Sequence, residues 1–134
     1  MTVADLMTSR AITTDPYTPV LEARQLMLHK CIRHLLVIDG PKLVGIVTDR
    51  DIRLSLPSPA TSLSIWEINY LIARMTVASV MTRNLVTIGP REDAKDAARL
   101  MLDRKIGALP VLDGDELVGI ITETDLLRAF VKAA

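Results

Sequence analysis

Leu43-Val44-Gly45-Ile46-Val47-Thr48-Asp49-Arg50-Asp51 returns 74 positions later as Leu117-Val118-Gly119-Ile120-Ile121-Thr122-Glu123-Thr124-Asp125. Outward from this stretch the same offset holds without a gap. Asp39-Gly40 meets Asp113-Gly114, Leu26-Met27-Leu28 meets Leu100-Met101-Leu102, and Val3-Ala4-Asp5-Leu6-Met7-Thr8 meets Val77-Ala78-Ser79-Val80-Met81-Thr82. On the order of twenty of about fifty paired positions are identical, so the period decides the fold ahead of any local propensity. Duplicated halves pack against each other, which places two related clefts at their seam.

With 134 residues, 49% of them hydrophobic and 24% charged, the chain has the size and composition of one soluble compact domain. A repeat of about 55 residues buries too little surface to be secure alone, so the two halves are expected to share a core. Sixteen basic residues balance sixteen acidic ones, which removes any net field towards nucleic acid or an anionic membrane. One Trp, two Tyr and one Phe offer few stacking platforms, so nucleic acid is not expected as the main partner. Cys31 is the single cysteine, and the opening residues carry neither a basic leader nor an apolar signal core; a cytoplasmic location is expected. No apolar run is long enough to span a bilayer, and His29 and His34 lack metal-ligand spacing, so neither a membrane nor a metal site is expected.

Ala11-Ile12-Thr13-Thr14, closed by Asp15-Pro16, suits a short strand. Thr18 is a candidate N-cap for a helix whose apolar stripe runs through Val20, Ala23, Leu26 and Met27. His34–Ile38 and Lys42–Val47 flank Asp39-Gly40-Pro41 as a hairpin, and Thr48 opens a second helix through Leu54. The second copy repeats strand, helix, strand, strand, helix at Leu85–Ile88, Glu92–Arg104, Ala108–Leu112, Glu116–Ile121 and Asp125–Lys132. The nearly continuous apolar character of the central strands predicts a sheet covered on both faces. Between the copies, Leu56–Ser62 reads as an extended approach, and Ser62 or Ser64 caps a helix over Ile65–Met75. Its stripe of Ile65, Ile68, Ile72 and Met75, widened by Trp66, Tyr70 and Leu71, exceeds one contact face. Burial against its own repeats, a dimer contact and a lid are all compatible with that surplus.

The two copies resemble CBS (cystathionine-β-synthase) domains, and the pair resembles a Bateman module over nearly the whole chain. The markers are Met7-Thr8 and Met81-Thr82, the strands Leu35–Asp39 and Leu109–Asp113, and the Gly-x-x-Thr-x-x-Asp closing each copy. The intervening segment also resembles the linker of bacterial acetoin-utilisation-type CBS proteins, and the regulatory domain that some of them carry is not expected after the second repeat. The resemblance implies an α+β fold of two pseudo-symmetric βαββα repeats packed through their sheets, with an extra helix in the linker. Repeat 1 then occupies 1–54, the linker 55–76 and repeat 2 residues 77–134.

Such pairs bind adenosine-containing molecules in the clefts between repeats and associate as flat homodimers. On this chain the resemblance implies that Thr48 and Thr122, at strand-to-helix junctions, favour a phosphate through free backbone N–H groups. Asp51 and Asp125 would accept hydrogen bonds from a ribose diol. Ile32 and Ile106, with the backbone near Thr13, Thr14, Thr87 and Ile88, would wall the base. Repeat 1 has Arg33, His34 and Arg50 where repeat 2 has Gly107, Ala108 and Thr124, so the first set suits phosphates and the second a close backbone approach. Thr48-x-x-Asp51 and Thr122-x-x-Asp125 equally fit a capping box that needs no ligand.

No nucleophile, base and orienting group form a set, and Cys31 reads as a small buried hydrophobe, so no enzyme is expected. The expected function is a regulatory sensor of AMP, ADP, ATP, NAD or S-adenosylmethionine that signals to an effector protein. The alternatives are a dimeric interaction module with empty clefts, assembled through the Trp66 helix, and, more remotely, an RNA contact through Arg33, Arg50 and Arg53.

Overall fold

The computed structural model of the protein describes residues 1–58 and 62–133; Pro59, Ala60 and Thr61, part of the expected extended approach, lie outside them. The elements run α1 (Val3–Leu6), β1 (Thr13–Thr14), α2 (Val20–Lys30), β2 (His34–Asp39), β3 (Lys42–Thr48) and α3 (Asp49–Ser55). After these come α4 (Ile65–Arg74), α5 (Val77–Val80), α6 (Ala94–Arg104), β4 (Ala108–Asp113), β5 (Glu116–Thr122) and α7 (Glu123–Ala133). The class is α+β with two related repeats, as expected.

The compact units divide the chain at a different place from the sequence repeat. Ile12–Leu85 forms an inner unit, and Met1–Ala11 joins Val86–Ala134 in a terminal unit. Each repeat therefore gives its leading segment to the body of the other. In the terminal unit Val3 is fully buried among Ile88, Ala97, Met101, Leu109, Val111 and Ile121. In the inner unit Val77 and Met81 join Val20, Ala23, Met27, Leu35, Val37, Val47 and Ile52. The buried apolar residues form two clusters, one per unit, and each holds residues of both sequence repeats, in line with the expectation that the two halves share their core.

Backbone pairing fixes the borrowed segments. Thr8 N–H donates to Ile120 O at 2.8 Å and Ile120 N–H returns the bond to Thr8 O at 3.0 Å. Thr82 and Ile46 exchange the same two bonds at 2.8 and 3.1 Å. The approach is close enough to require glycine on the receiving strand. A Cβ on Gly119 would lie 2.6 Å from Thr8 O and 2.9 Å from Met7 Sδ, and one on Gly45 would lie 2.7 Å from Met81 Sδ and 3.0 Å from Thr82 O. The first residue of the Gly-x-x-Thr-x-x-Asp motif therefore serves the exchange of segments.

In the inner unit β1 pairs parallel to β2, and β2 pairs antiparallel to β3. The terminal unit has the β4–β5 hairpin, and the expected Leu85–Ile88 strand reduces to a single parallel bridge from Ile88 to Val111. Both hairpins turn through two residues with φ near +62° at Gly40 and +63° at Gly114, the positive angle at the first turn position that glycine accepts without strain. Both carry the same irregularity, between Val37 and Ile38 and between Val111 and Leu112. Leu35, Leu36 and Val37 are all fully buried, so β2 is covered on both faces.

Three local expectations change. Thr18 does not cap α2; Pro19 holds that position without a side-chain bond, and Thr18 O instead accepts from Val77 N–H at 2.8 Å. The helix predicted from Glu92 begins at Ala94, because Asp93 takes the cap and accepts from Lys95 N–H. Cys31 is exposed, not buried, since it ends α2 in the left-handed conformation at φ 56°, which turns its side chain off the apolar stripe.

Helix α4 begins at Ser64, whose hydroxyl accepts from Glu67 N–H while the Glu67 carboxylate accepts from Ser64 N–H. None of its residues is buried: Ile68, Ile72 and Met75 are half-covered, while Ile65, Trp66, Tyr70 and Leu71 face outward. Its own repeats thus cover one edge of the apolar stripe and leave the rest exposed.

Candidate ligand sites

Each unit brings part of the expected set of residues together at the end of its hairpin. In the inner unit His34 and Thr48 are opposite each other at the end of the β2–β3 hairpin, and Asp49 N–H donates to Arg33 O at 3.2 Å. That brings Arg33, His34, Thr48, Arg50 and Asp51 to one corner. Thr13 pairs with Leu36, two residues along β2 and so about 7 Å from the corner. In the terminal unit Ala108 faces Thr122, and Glu123 N–H donates to Gly107 O at 3.0 Å. Gly107, Ala108, Thr122, Thr124 and Asp125 converge in the same way.

Both corners are capping boxes. Thr48 N–H donates to Asp51 Oδ2 at 3.1 Å, and Asp51 N–H donates to Thr48 Oγ1 at 3.0 Å. Thr122 N–H and its hydroxyl donate to Asp125 Oδ2 at 2.9 and 3.1 Å, and Asp125 N–H donates to Thr122 Oγ1 at 3.3 Å. This corrects the expected phosphate cradle. The amides of Thr48, Asp49 and Asp51, like those of Thr122, Glu123 and Asp125, already have protein partners. These six amides are not free for a phosphate.

The same geometry leaves one carboxylate oxygen in hand. Oδ2 serves the cap in both units, and among the described residues Asp51 Oδ1 has no protein hydrogen bond. Asp125 Oδ1 lies 3.9 Å from Arg128 Nη1, while the Asp125 side chain is only 9% exposed. A carboxylate so covered is stabilised by any further donor, and a ribose diol supplies two hydroxyls.

Other predicted residues divide by burial. Ile32 and Ile106 are half-covered and pack against their units' cores, leaving an edge for a base. Ile88 is a core residue; its N–H donates to Pro110 O and its O accepts from Leu112 N–H, so neither its side chain nor its backbone is left for a ligand. Ala108 is also buried, whereas Thr13, Thr87, Thr124, Arg33 and Arg50 are exposed and Thr14 and His34 half-buried.

Sequence reading passed over an ion network beside the inner corner. Asp49 Oδ2 accepts from Arg53 Nε at 2.9 Å, and Asp49 Oδ1 lies 3.4 Å from Arg24 Nε, paired in charge but too poorly aligned for a hydrogen bond. The Asp49–Arg53 half was legible as an i,i+4 pair. The Arg24 half was not, because it joins α2 to α3.

Two CBS domain models match the chain, at residues 3–58 and 77–132, and the chain belongs to the CBS domain family as a tandem pair. Among solved structures it is similar to the CBS domain pair of MJ0100 in complex with 5′-methylthioadenosine and S-adenosyl-L-methionine. That likeness has a TM-score of 0.83 and 29% identity, over 100% of this chain and 98% of that one. The Arabidopsis thaliana chloroplast protein CBSX2, solved in complex with AMP, gives a TM-score of 0.81 and 35% identity over 98% and 97% of the two chains. A Vibrio cholerae protein bearing the name acetoin utilization protein (AcuB) gives 0.82 and 30% over 99% and 92%, in line with the resemblance read from the linker.

Proposed function

We propose that this protein is a regulatory sensor that binds an adenosine-containing molecule at its Thr-x-x-Asp corners and passes the occupancy to an effector protein. The carrying observation is the half-used carboxylate: Asp51 and Asp125 each cap a helix through Oδ2, which leaves Oδ1 outside the cap, without a hydrogen bond among the described residues at Asp51 and 3.9 Å from Arg128 Nη1 at Asp125. AMP, 5′-methylthioadenosine and S-adenosylmethionine in similar CBS pairs support the ligand class. ADP, ATP and NAD share the adenosine. The reading assigns the chain no catalytic step. Among the described residues no helix is long and apolar enough to cross a membrane; the sensor is read as cytoplasmic.

A homodimer belongs to this reading. Leu127, Phe130 and Val131 are exposed along α7, with Phe130 at 76%, and α4 adds Trp66 at 80%. Apolar surface of this extent on two helices favours a partner. The alternative, an interaction module that assembles without a ligand, rests on the same surface.

The test is a thermal-shift panel of AMP, ADP, ATP, NAD and S-adenosylmethionine on the full chain. The sensor reading expects at least one to raise the melting temperature, and to go on raising it with the logarithm of its concentration above Kd. No shift with any of them, together with a stable dimer by light scattering, would replace the sensor with the assembly module.

A further inference from the structure

The two corners superpose in sequence and capping geometry but not in charge. In the inner unit four arginines lie at or beside the corner: Arg33 and Arg50 on the segments that meet there, and Arg24 and Arg53 against Asp49. The offset of 74 places Ala98, Gly107, Thr124 and Leu127 at those positions in the terminal unit, so each cation has been replaced by an uncharged residue. Acidic charge is kept, with Glu123 for Asp49 and Asp125 for Asp51. Exchange in the other direction occurs at Leu54, which becomes Arg128, and at Cys31, which becomes Lys105. Arg128 lies against Asp125.

The pairing sharpens this difference. Arg24 and Arg53 neutralise Asp49, the acid that would otherwise repel an anion at the mouth of the inner corner. Among the described residues Arg33 and Arg50 form no ion pair, so both guanidiniums are available. In the terminal unit Glu123 is exposed and makes no ion pair among the described residues, so its charge stands uncompensated. Because the amides of Thr48, Asp49 and Asp51, and of Thr122, Glu123 and Asp125, are engaged alike in the two units, side-chain charge is what distinguishes the corners towards a phosphate. Guanidinium–phosphate bonds are charge-assisted and frequently bidentate. A phosphate beside a bare Glu123 meets like charge instead.

We propose that the two units take different ligands: the inner unit an adenosine nucleotide carrying phosphate, the terminal unit an adenosine compound with a neutral or cationic 5′ group, such as a thioether or sulfonium. This rests on the sensor reading above and assigns ligand class within it. A single chain then compares two adenosine pools of different charge, and occupancy of one corner need not displace the other's ligand.

The experiment is calorimetric titration of the full chain with AMP and with 5′-methylthioadenosine, repeated on Arg33→Gly/Arg50→Thr and on Asp125→Asn. The first variant installs the residues already present in the terminal unit, at exposed positions. It is expected to weaken AMP at least tenfold and to leave 5′-methylthioadenosine within about twofold. Asp125→Asn is expected to weaken 5′-methylthioadenosine and spare AMP. Raising salt should weaken AMP alone. Undiminished AMP binding in the arginine variant, or parallel loss of both ligands in either correctly folded variant, would overturn the assignment while leaving the sensor intact. If neither ligand binds the unaltered chain and no compound of the thermal panel does, the sensor reading falls and takes this assignment with it.

Discussion

The inner unit and the terminal unit are built on one plan and differ where a ligand would sit. Their hairpins turn at equivalent glycines, their strands slip register at equivalent residues, and their closing helices are capped by the same Thr–Asp reciprocity. What diverges is the first ring of side chains around the cap, arginine-rich in one and nearly free of cations in the other. Folding constraints hold the duplicated frame constant, because each position in it closes a hydrogen bond or fills a core. Arg33 and Arg50 form no ion pair among the described residues, so their charge is free to set ligand preference in the inner unit.

The largest expected effect breaks the frame. Gly119→Ala pushes a methyl into the backbone oxygen of Thr8, which cannot move without giving up its pair of bonds to Ile120. Overpacking of this kind costs about 3 kcal/mol. Gly45→Ala meets first the flexible end of Met81, and about 1 to 2 kcal/mol is expected. Urea denaturation of the two variants should rank them in that order; equal and negligible losses would contradict the exchange of leading segments.

Next in size are the caps. Thr48→Ala and Thr122→Ala each remove the acceptor for an Asp amide, and each should cost about 1 kcal/mol. Near-equal values would sharpen the equivalence of the two frames. A much larger loss at one would show that its threonine does more than cap.

The smallest effect distinguishes the units by pH. Asp5 is held below the usual carboxylate range first by the backbone N–H of Thr2 and then by its hydroxyl, and Asp93 is lowered chiefly by the backbone N–H of Lys95. Both lie in the terminal unit. A carboxylate depressed in the folded state stabilises it above its unfolded pKa and loses that contribution as pH falls through the folded value. Hydrogen exchange during acidification should therefore show α1 and the start of α6 loosening below the ordinary carboxylate range, ahead of the start of α2, which has no side-chain cap.

Much of this was legible in the sequence. The gap-free offset identified the repeat, Asp39-Gly40 and Asp113-Gly114 marked the hairpins, and Thr48 and Thr122 marked the helix starts. The repeat could not say which copy hosts each leading segment, because like sequences fit like surfaces and Val3 and Val77 suit either core. One signal did point to the exchange: a glycine inside each apolar strand, at Gly45 and Gly119, marks a close backbone approach. The corner residues were legible as types, but whether their amides were free depended on Thr–Asp reciprocity. The neutralisation of Asp49 by Arg24 depended on a contact between helices.

The most direct test of the account is a 1H–15N correlation titration of the full chain with AMP. The account predicts that resonances at Arg33, His34, Thr48, Arg50 and Asp51 move at the lowest AMP concentrations, with Gly107 and Thr122 to Asp125 unmoved there. Early movement confined to the terminal corner, or no movement at either corner at saturating AMP, would contradict it.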